Sequence, residues 1–429
     1  MHSLSTRDKM GAEYFMKRSR RLTNITFIHA ADLHLDSPFH GISRLPEEVY
    51  RRIKNSTFKS AENVFKLAID EEADFILLAG DLFDEANRSL KAQMFLRKQF
   101  LKLKENNIQV YVIFGNHDHL GGDWTPIDWP DNVHIFSSED IEEKSFYKDG
   151  RLAASIYGYS YPERSVFANK AAEIKKTTDA PLHIGMIHGT LSGESGHDPY
   201  CPFSLQDLKN GRMDYWALGH IHKRQVISAS EPAVIYPGNT QSRHMKETGE
   251  KGCYLVNVCG GELSFEFKAL SDVLWETASI DISETKQMTE LISLMQDALQ
   301  SFRNRGKPAC VKVVLTGETP SYLAEGQAGI VDEILDIFHE EEREEDAFIW
   351  LTAIEDQTDA ALSGIERDAF FQELLQEMQE FQDFSLIFDD LERHPVFRRH
   401  GERFHEEDFR DIRAQAEKLL LHELKTLKR

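Results

Sequence analysis

The feature that most constrains this chain is a series of short apolar runs, each rich in β-branched or aromatic residues and each stopped at once by a polar or glycine-containing turn. They cover residues 25–30, 75–79, 110–114, 183–187, 215–218 and 234–236. Runs that are apolar throughout, rather than alternating, belong to strands covered on both faces. Helical patterns over 47–71 and 90–106 lie between the first of them. The repeated order of strand, loop and helix predicts an α/β core. A hairpin of 254–258 with 263–267, joined by Gly260-Gly261, closes this region.

From about residue 272 the pattern changes. A helix over 284–302, a strand over 310–315, a helix over 330–339 and a strand over 348–354 read as a small α+β domain. Beyond Ala360 two further helices are expected, 372–381 and 406–425, separated by His394-Pro395. The first carries a stripe of Phe370, Phe371, Leu374, Leu375, Met378 and Phe381, suited equally to packing on the protein's own core and to docking a partner. Two or three domains are the expectation for 429 residues. The division predicted is a flexible N-terminal extension (1–24), a catalytic domain (25–270), an accessory domain (271–358) and a C-terminal helical docking region (359–429).

No run approaches the roughly 18–20 apolar residues that span a bilayer. The first 24 residues hold Lys17, Arg18, Arg20 and Arg21 with no apolar stretch after them, so no secretory signal is expected. Met10 and Met16 leave a later translation start open. Cys201, Cys253, Cys259 and Cys310 are scattered and form no C-x-x-C pair, which fits a reduced, cytoplasmic protein. The formal charge of −22 argues against tight unaided binding to nucleic acid. Its distribution softens that argument, because residues 331–390 alone carry about −18 of it. Bound metal ions can also recruit phosphate without a basic surface.

Five short motifs carry the chemistry: Asp32-Leu33-His34, Gly80-Asp81, Gly115-Asn116-His117-Asp118, His188-Gly189 and Gly219-His220-Ile221-His222. They fall at the C-terminal ends of expected strands or just beyond, where α/β folds gather ligands. Any one of them alone is an ordinary turn or surface accident; five in order are not. Carboxylate, amide and imidazole donors together suit Mn²⁺, Fe²⁺ or Zn²⁺ better than Ca²⁺. A D-x-H at a strand end splits its side chains across two faces unless a turn at Leu33 brings them together. His29, inside the first strand, reads as a core histidine.

This series resembles the signature of the calcineurin-like metallophosphoesterases over roughly residues 25–268. The resemblance implies a four-layer α/β/β/α sandwich, with two mixed sheets face to face, helices outside and two divalent ions at one edge. Carried over position by position, Asp32, His34 and His222 hold one ion. Asn116, His188 and His220 hold the other, and Asp81 bridges them. His117 protonates the leaving oxygen and Asp118 orients its ring. The alternative role for His117 is to brace Asn116.

Protein Ser/Thr phosphatases of that superfamily carry G-D-x-x-D-R-G and G-N-H-E. This chain departs from both, with Gly80-Asp81-Leu82-Phe83-Asp84-Glu85-Ala86 and Gly115-Asn116-His117-Asp118. Ile28-His29-Ala30-Ala31-Asp32-Leu33-His34 and Ala217-Leu218-Gly219-His220-Ile221-His222 instead look like segments of the SbcD-type nucleases. Some relatives place a second histidine three residues after the bridging aspartate, where this chain has Asp84. His197-Asp198-Pro199-Tyr200-Cys201-Pro202-Phe203 and Tyr236-Pro237-Gly238-Asn239-Thr240-Gln241-Ser242-Arg243-His244 are similar to motifs of the YhaO-type branch. There Arg243 and His244 either contact phosphates flanking the scissile one or brace a loop. The branch implies a Mn²⁺-dependent DNA exonuclease or endonuclease in DNA repair, a homodimer, and a coiled-coil ABC-type ATPase of the SbcC-like class gripped by the C-terminal helices. That ATPase would supply DNA affinity an acidic chain lacks. Two other readings stay open: a phosphodiesterase or phosphatase for small phosphoesters, and a scaffold that has kept only the fold.

Overall fold

The computed structural model describes residues 24–39, 45–85, 88–193, 200–324, 329–342 and 347–358, with scattered positions between 373 and 416. The expected N-terminal extension apart from Asn24, residues 197–199 of the His197 motif, and the two C-terminal helices apart from those scattered positions lie outside the described residues. Contacts divide the chain into two compact units. The first gathers Met1–Thr277, Phe302–Val311 and Glu342–Thr352; the second gathers Ala278–Ser301, Lys312–Glu341 and Ala353–Arg429.

The elements run β1 (Ile25–Ala30), α1 (Glu47–Asp70), β2 (Phe75–Ala79), α2 (Leu90–Glu105), β3 (Gln109–Ile113), β4 (Val133–Ile135), β5 (Glu142–Lys148), β6 (Arg151–Gly158), β7 (Leu182–His188), α3 (Leu205–Gly211), β8 (Tyr215–Gly219), β9 (Gln225–Ala229), β10 (Ala233–Tyr236), β11 (Gly252–Cys259) and β12 (Glu262–Ala269). Then follow β13 (Leu274–Asp281), α4 (Met288–Arg303), β14 (Ala309–Thr316), α5 (Ser321–Ala324), α6 (Ile330–Glu341) and β15 (Ile349–Asp356). Two six-stranded mixed sheets take the orders β12-β11-β1-β2-β3-β4 and β5-β6-β7-β8-β10-β9, and a three-stranded sheet the order β13-β14-β15. In the first large sheet β1 to β4 are parallel and β11 joins β1 antiparallel.

Period-two alternation explains why the central strands read as apolar throughout. Ile76 and Leu78 of β2 face one core, shared with Phe58, Val64 and Phe65 of α1 and Leu96 and Phe100 of α2. Phe75, Leu77 and Ala79 face a second core, shared with Ile184 and Met186 of β7 and Tyr215 and Ala217 of β8. Trp216 and Leu218 of β8 face a third, with Leu208 of α3. Two sheets packed face to face, with helices outside, account for three such cores. Over the second sheet the described helical cover is thin, a 3₁₀ turn (Ala171–Glu173) and α3, the latter started by a reciprocal Ser204–Asp207 cap.

The sequence reading missed β4, β5, β6, β9 and β13, among them both edges of the second sheet, β5 and β9. Glu142, Glu143, Lys144 and Lys148 make β5 look like a loop; charge on an edge strand prevents pairing with another chain. Among the described residues no helix is long and apolar enough to cross a membrane.

The two sheets approach most closely beside the motifs. A Cβ built on Gly219 would stand 1.9 Å from the Ala79 carbonyl oxygen. Gly219→Ala is therefore expected to destabilise the fold by about 1–3 kcal/mol, read as a lowered urea midpoint with an unchanged slope.

Candidate metal centre

The loops after β1 and β2 run side by side. The amides of Asp32, His34 and Leu35 donate to the carbonyls of Gly80, Asp81 and Leu82, each at 3.0 Å. Asp32, His34, Asp81 and His220 all have positive φ, at 52°, 41°, 52° and 96°. Left-handed backbone at non-glycine residues costs about 1–3 kcal/mol each and gathers at functional sites. It is also how D-x-H converges: the left-handed residues are Asp32 and His34, on either side of buried Leu33, rather than Leu33 itself. Gly115 opens its motif because a Cβ there would lie 2.4 Å from an Asp81 carboxylate oxygen and 2.6 Å from His188 Nε2.

The seven residues expected as ligands come together from the ends of β1, β2, β3, β7 and β8. Ligand atoms of Asp32, His34 and His222 lie within 4.8 Å of one another, as do those of Asp32, Asp81 and His188. The Nε2 atoms of His34 and His222 are 3.0 Å apart. His188 Nε2 is 3.0 Å from Asn116 Oδ1 and 3.3 Å from Asp81 Oδ2, and His220 Nδ1 is 3.2 Å from Asn116 Oδ1. Asp32, His34, Asp81 and His188 are buried.

These contacts test whether the donors fit a cation. His188 Nδ1 donates to the Ala79 carbonyl at 3.0 Å, so in the neutral ring Nε2 presents a lone pair to two oxygens. His222 Nδ1 donates to Glu247 Oε1 at 2.6 Å, which likewise leaves a lone pair on Nε2 facing His34. Lone pairs and carboxylates aimed at common points call for positive charge. Burial, with the Arg243 guanidinium next, lowers His34 to about 3, so its ring is neutral and able to ligate. Burial also acts against charge on His188, but Asp81 and then Asp32 raise it to about 9. The donor set fits divalent ions.

His117 stands at the margin of this group. Its ring packs edge-on against His34 at 4.9 Å, and its amide donates to Asp81 Oδ1 at 3.0 Å. A ligand atom of His117 also lies within 4.8 Å of ones on His34 and Asp81. The ring's Nδ1 donates to the Asp84 carbonyl at 2.8 Å. The expectation that Asp118 orients this ring is therefore corrected. Asp118 is buried beneath the loop, where its carboxylate accepts from the amides of Gly115 and Leu82, each at 2.7 Å. Burial, then the Asp81 charge, raises it to about 6. Two residues on from Asn116, the Asp118 carboxylate is taken by backbone amides instead.

Arg243 pairs with Asp84 and lies 3.3 Å from Ser37 Oγ. His244 is half-exposed, 3.6 Å from Glu247. His29 is a satisfied core residue, 2.9 Å from the Tyr215 hydroxyl and 3.2 Å from the Leu218 carbonyl, lowered by burial to about 3. Two residues escaped the sequence reading. Buried Arg88 reaches the carbonyls of Asp118 and His119 and is flanked by the rings of Trp124 and Phe114 at 3.8 and 4.0 Å. Glu247 accepts the hydrogen bond from His222 Nδ1 described above. Neither stands in a recognisable motif; each is defined by a partner at least 25 residues away.

Two family models match the chain: calcineurin-like phosphoesterase over residues 25–224, and the middle domain of metallophosphoesterase YhaO over residues 275–359. The metallophosphoesterase YhaO of Bacillus subtilis is 57% identical over 406 residues, covering 95% of this chain and 99% of that protein. The DNA double-strand break repair protein Mre11 of Methanocaldococcus jannaschii is 25% identical over 282 residues, 63% of this chain and 73% of that protein. Its counterpart from Methanosarcina mazei is 26% identical over 282 residues, 64% of this chain and 43% of that protein. The chain belongs to the calcineurin-like metallophosphoesterases, in the YhaO family, and is a metal-dependent phosphoesterase.

Proposed function

We propose that this enzyme is a Mn²⁺-dependent DNA nuclease, working in DNA repair with a coiled-coil ABC-type ATPase and as a homodimer. The observation that carries the reading is the donor cluster around Asp81 with His117 at its margin, joined to the likeness to Mre11 proteins across 282 residues. Asp32, His34 and His222 would hold one ion, Asn116, His188 and His220 the second, with Asp81 between them. When bound, such a pair polarises a phosphodiester and lowers the pKa of the attacking water. With Nδ1 engaged by the Asp84 carbonyl, His117 keeps Nε2 to hand a proton to the departing oxygen. Asp118 acts through the loop amides and positions His117 and Asn116. His244 is the candidate contact for a flanking phosphate.

Residues 25–270 serve as the catalytic domain and 271–358 as a capping domain, and 359–429 dock the ATPase. The acidity of 331–390 supports a division of labour in which the partner supplies much of the affinity for DNA.

The test is cleavage of end-labelled linear duplex and single-stranded DNA, with bis-p-nitrophenyl phosphate in parallel. EDTA is expected to abolish hydrolysis of both kinds of substrate. Mn²⁺ restores it and Ca²⁺ does not, because imidazole donors select against a hard, oxygen-preferring ion. Hydrolysis of the small diester alone, even with the ATPase added, would refute the nuclease reading in favour of a small-phosphoester enzyme.

A further inference from the structure

We propose that Glu247 and Asp84, joined through Arg243, are positioning residues that hold the His222 and His34 rings with their Nε2 atoms turned inward at one of the two metal positions. The inference rests on the metal reading of the site and is independent of which phosphoester the enzyme cleaves.

Each ring has a carboxylate behind it. His222 Nδ1 is 2.6 Å from Glu247 Oε1 in a hydrogen bond, and His34 Nδ1 is 3.1 Å from Asp84 Oδ1 in a charge contact that lies too far off line to be one. A carboxylate at Nδ1 selects the Nδ1–H tautomer and makes the opposite nitrogen a better ligand. If only one ring were so held, the 3.0 Å contact between the two Nε2 atoms could be an ordinary hydrogen bond. With both held, two lone pairs converge beside Asp32.

Glu247 has no freedom to do otherwise. Its Oε2 accepts from Asn239 Nδ2 at 2.9 Å and from the Arg243 amide at 2.8 Å, which leaves Oε1 for His222. The side chain of Arg243 then reaches Asp84, so one residue grips both carboxylates, one through its backbone and one through its guanidinium. Side-chain exposure of 7% for Glu247 and 13% for Asp84 keeps water from screening the arrangement. The other position is built differently: His188 Nδ1 meets only a neutral backbone carbonyl, that of Ala79.

Titration calorimetry of the full chain with Mn²⁺ tests this without reading activity. Wild type is expected to take up two equivalents. Glu247→Gln should weaken one of them by about 10–100-fold, the range for loss of such a partner, and leave the other unchanged. Glu247→Asp should recover part of the loss. Asp84→Asn, approaching from the other carboxylate, should weaken the same equivalent. Two unchanged equivalents in both Glu247→Gln and Asp84→Asn would overturn the proposal and leave the metal reading intact. Equal weakening of both equivalents, with a lowered melting temperature, would make these residues merely structural and overturn it too. A wild type that takes up no Mn²⁺ would overturn the metal reading along with it.

Discussion

Asp81→Asn is expected to reduce phosphodiester hydrolysis by about a thousand-fold or more while the protein stays folded. Asp81, like Asp32 and His34, belongs to two of the three donor groups, one with Asp32 and His188 and one with His34 and His117. Asparagine has the same shape and can still accept the His117 amide, but it lacks the charge that, in the proposed site, two divalent ions would share. Losing one fixed charge or donor from a water-poor catalytic site costs on the order of 10²–10³ in rate, and a shared ligand costs at least the upper figure. Burial acts against the Asp81 charge, but His188, His117 and His34 hold its carboxyl well below the usual range, so some stability is lost with the charge. The fold should survive because asparagine keeps the shape and the His117 amide contact. Initial rates on bis-p-nitrophenyl phosphate, with thermal melting beside them, make the measurement. A folded Asp81→Asn variant that keeps more than a tenth of wild-type activity would sink the two-metal assignment.

His117→Ala should separate substrates by leaving group. A proton delivered to a departing alkoxide is worth about 10²–10⁴ in rate, so cleavage of DNA should fall by that factor. Nitrophenolate leaves as a stable anion and needs no proton, so bis-p-nitrophenyl phosphate should lose less than about tenfold. The alternative role, bracing Asn116, predicts equal losses on both substrates, because a misplaced ligand harms every reaction at the centre. The ratio of the two losses therefore decides between acid and brace. Binding of Mn²⁺ should be little changed in the first case and weakened in the second.

Much of the fold was legible because the signals were local. Strands β1 and β2 and the helices α1 and α2 follow from apolar runs and turns within a few residues of each element. The motif histidines and aspartates were legible for the same reason: each stands at the end of a strand that announces itself. The sheet edges were legible unevenly: β12 shows through its hairpin turn, whereas β5 carries the charge that an exposed edge requires and so hides its own pattern. In the site, Asp118 shows the limit of adjacency, because standing next to His117 in sequence led to the wrong partner; the amides of Leu82 and Gly115 claim it instead.

By itself, then, the sequence determined most of the buried strands (β6 excepted), the α/β layering they demand and the order of the donor residues, because periodicity and turn chemistry act over a few residues. Only the tertiary structure decided which donors meet and what stands behind them. His34 and His222 are 188 residues apart and meet because two sheets pack face to face. Glu247 and Asp84 acquire their places behind those rings only once Arg243 has closed the loop across both. Hydrogen bonds of that reach leave no periodic trace in a chain, and they set which nitrogen of each histidine faces the centre.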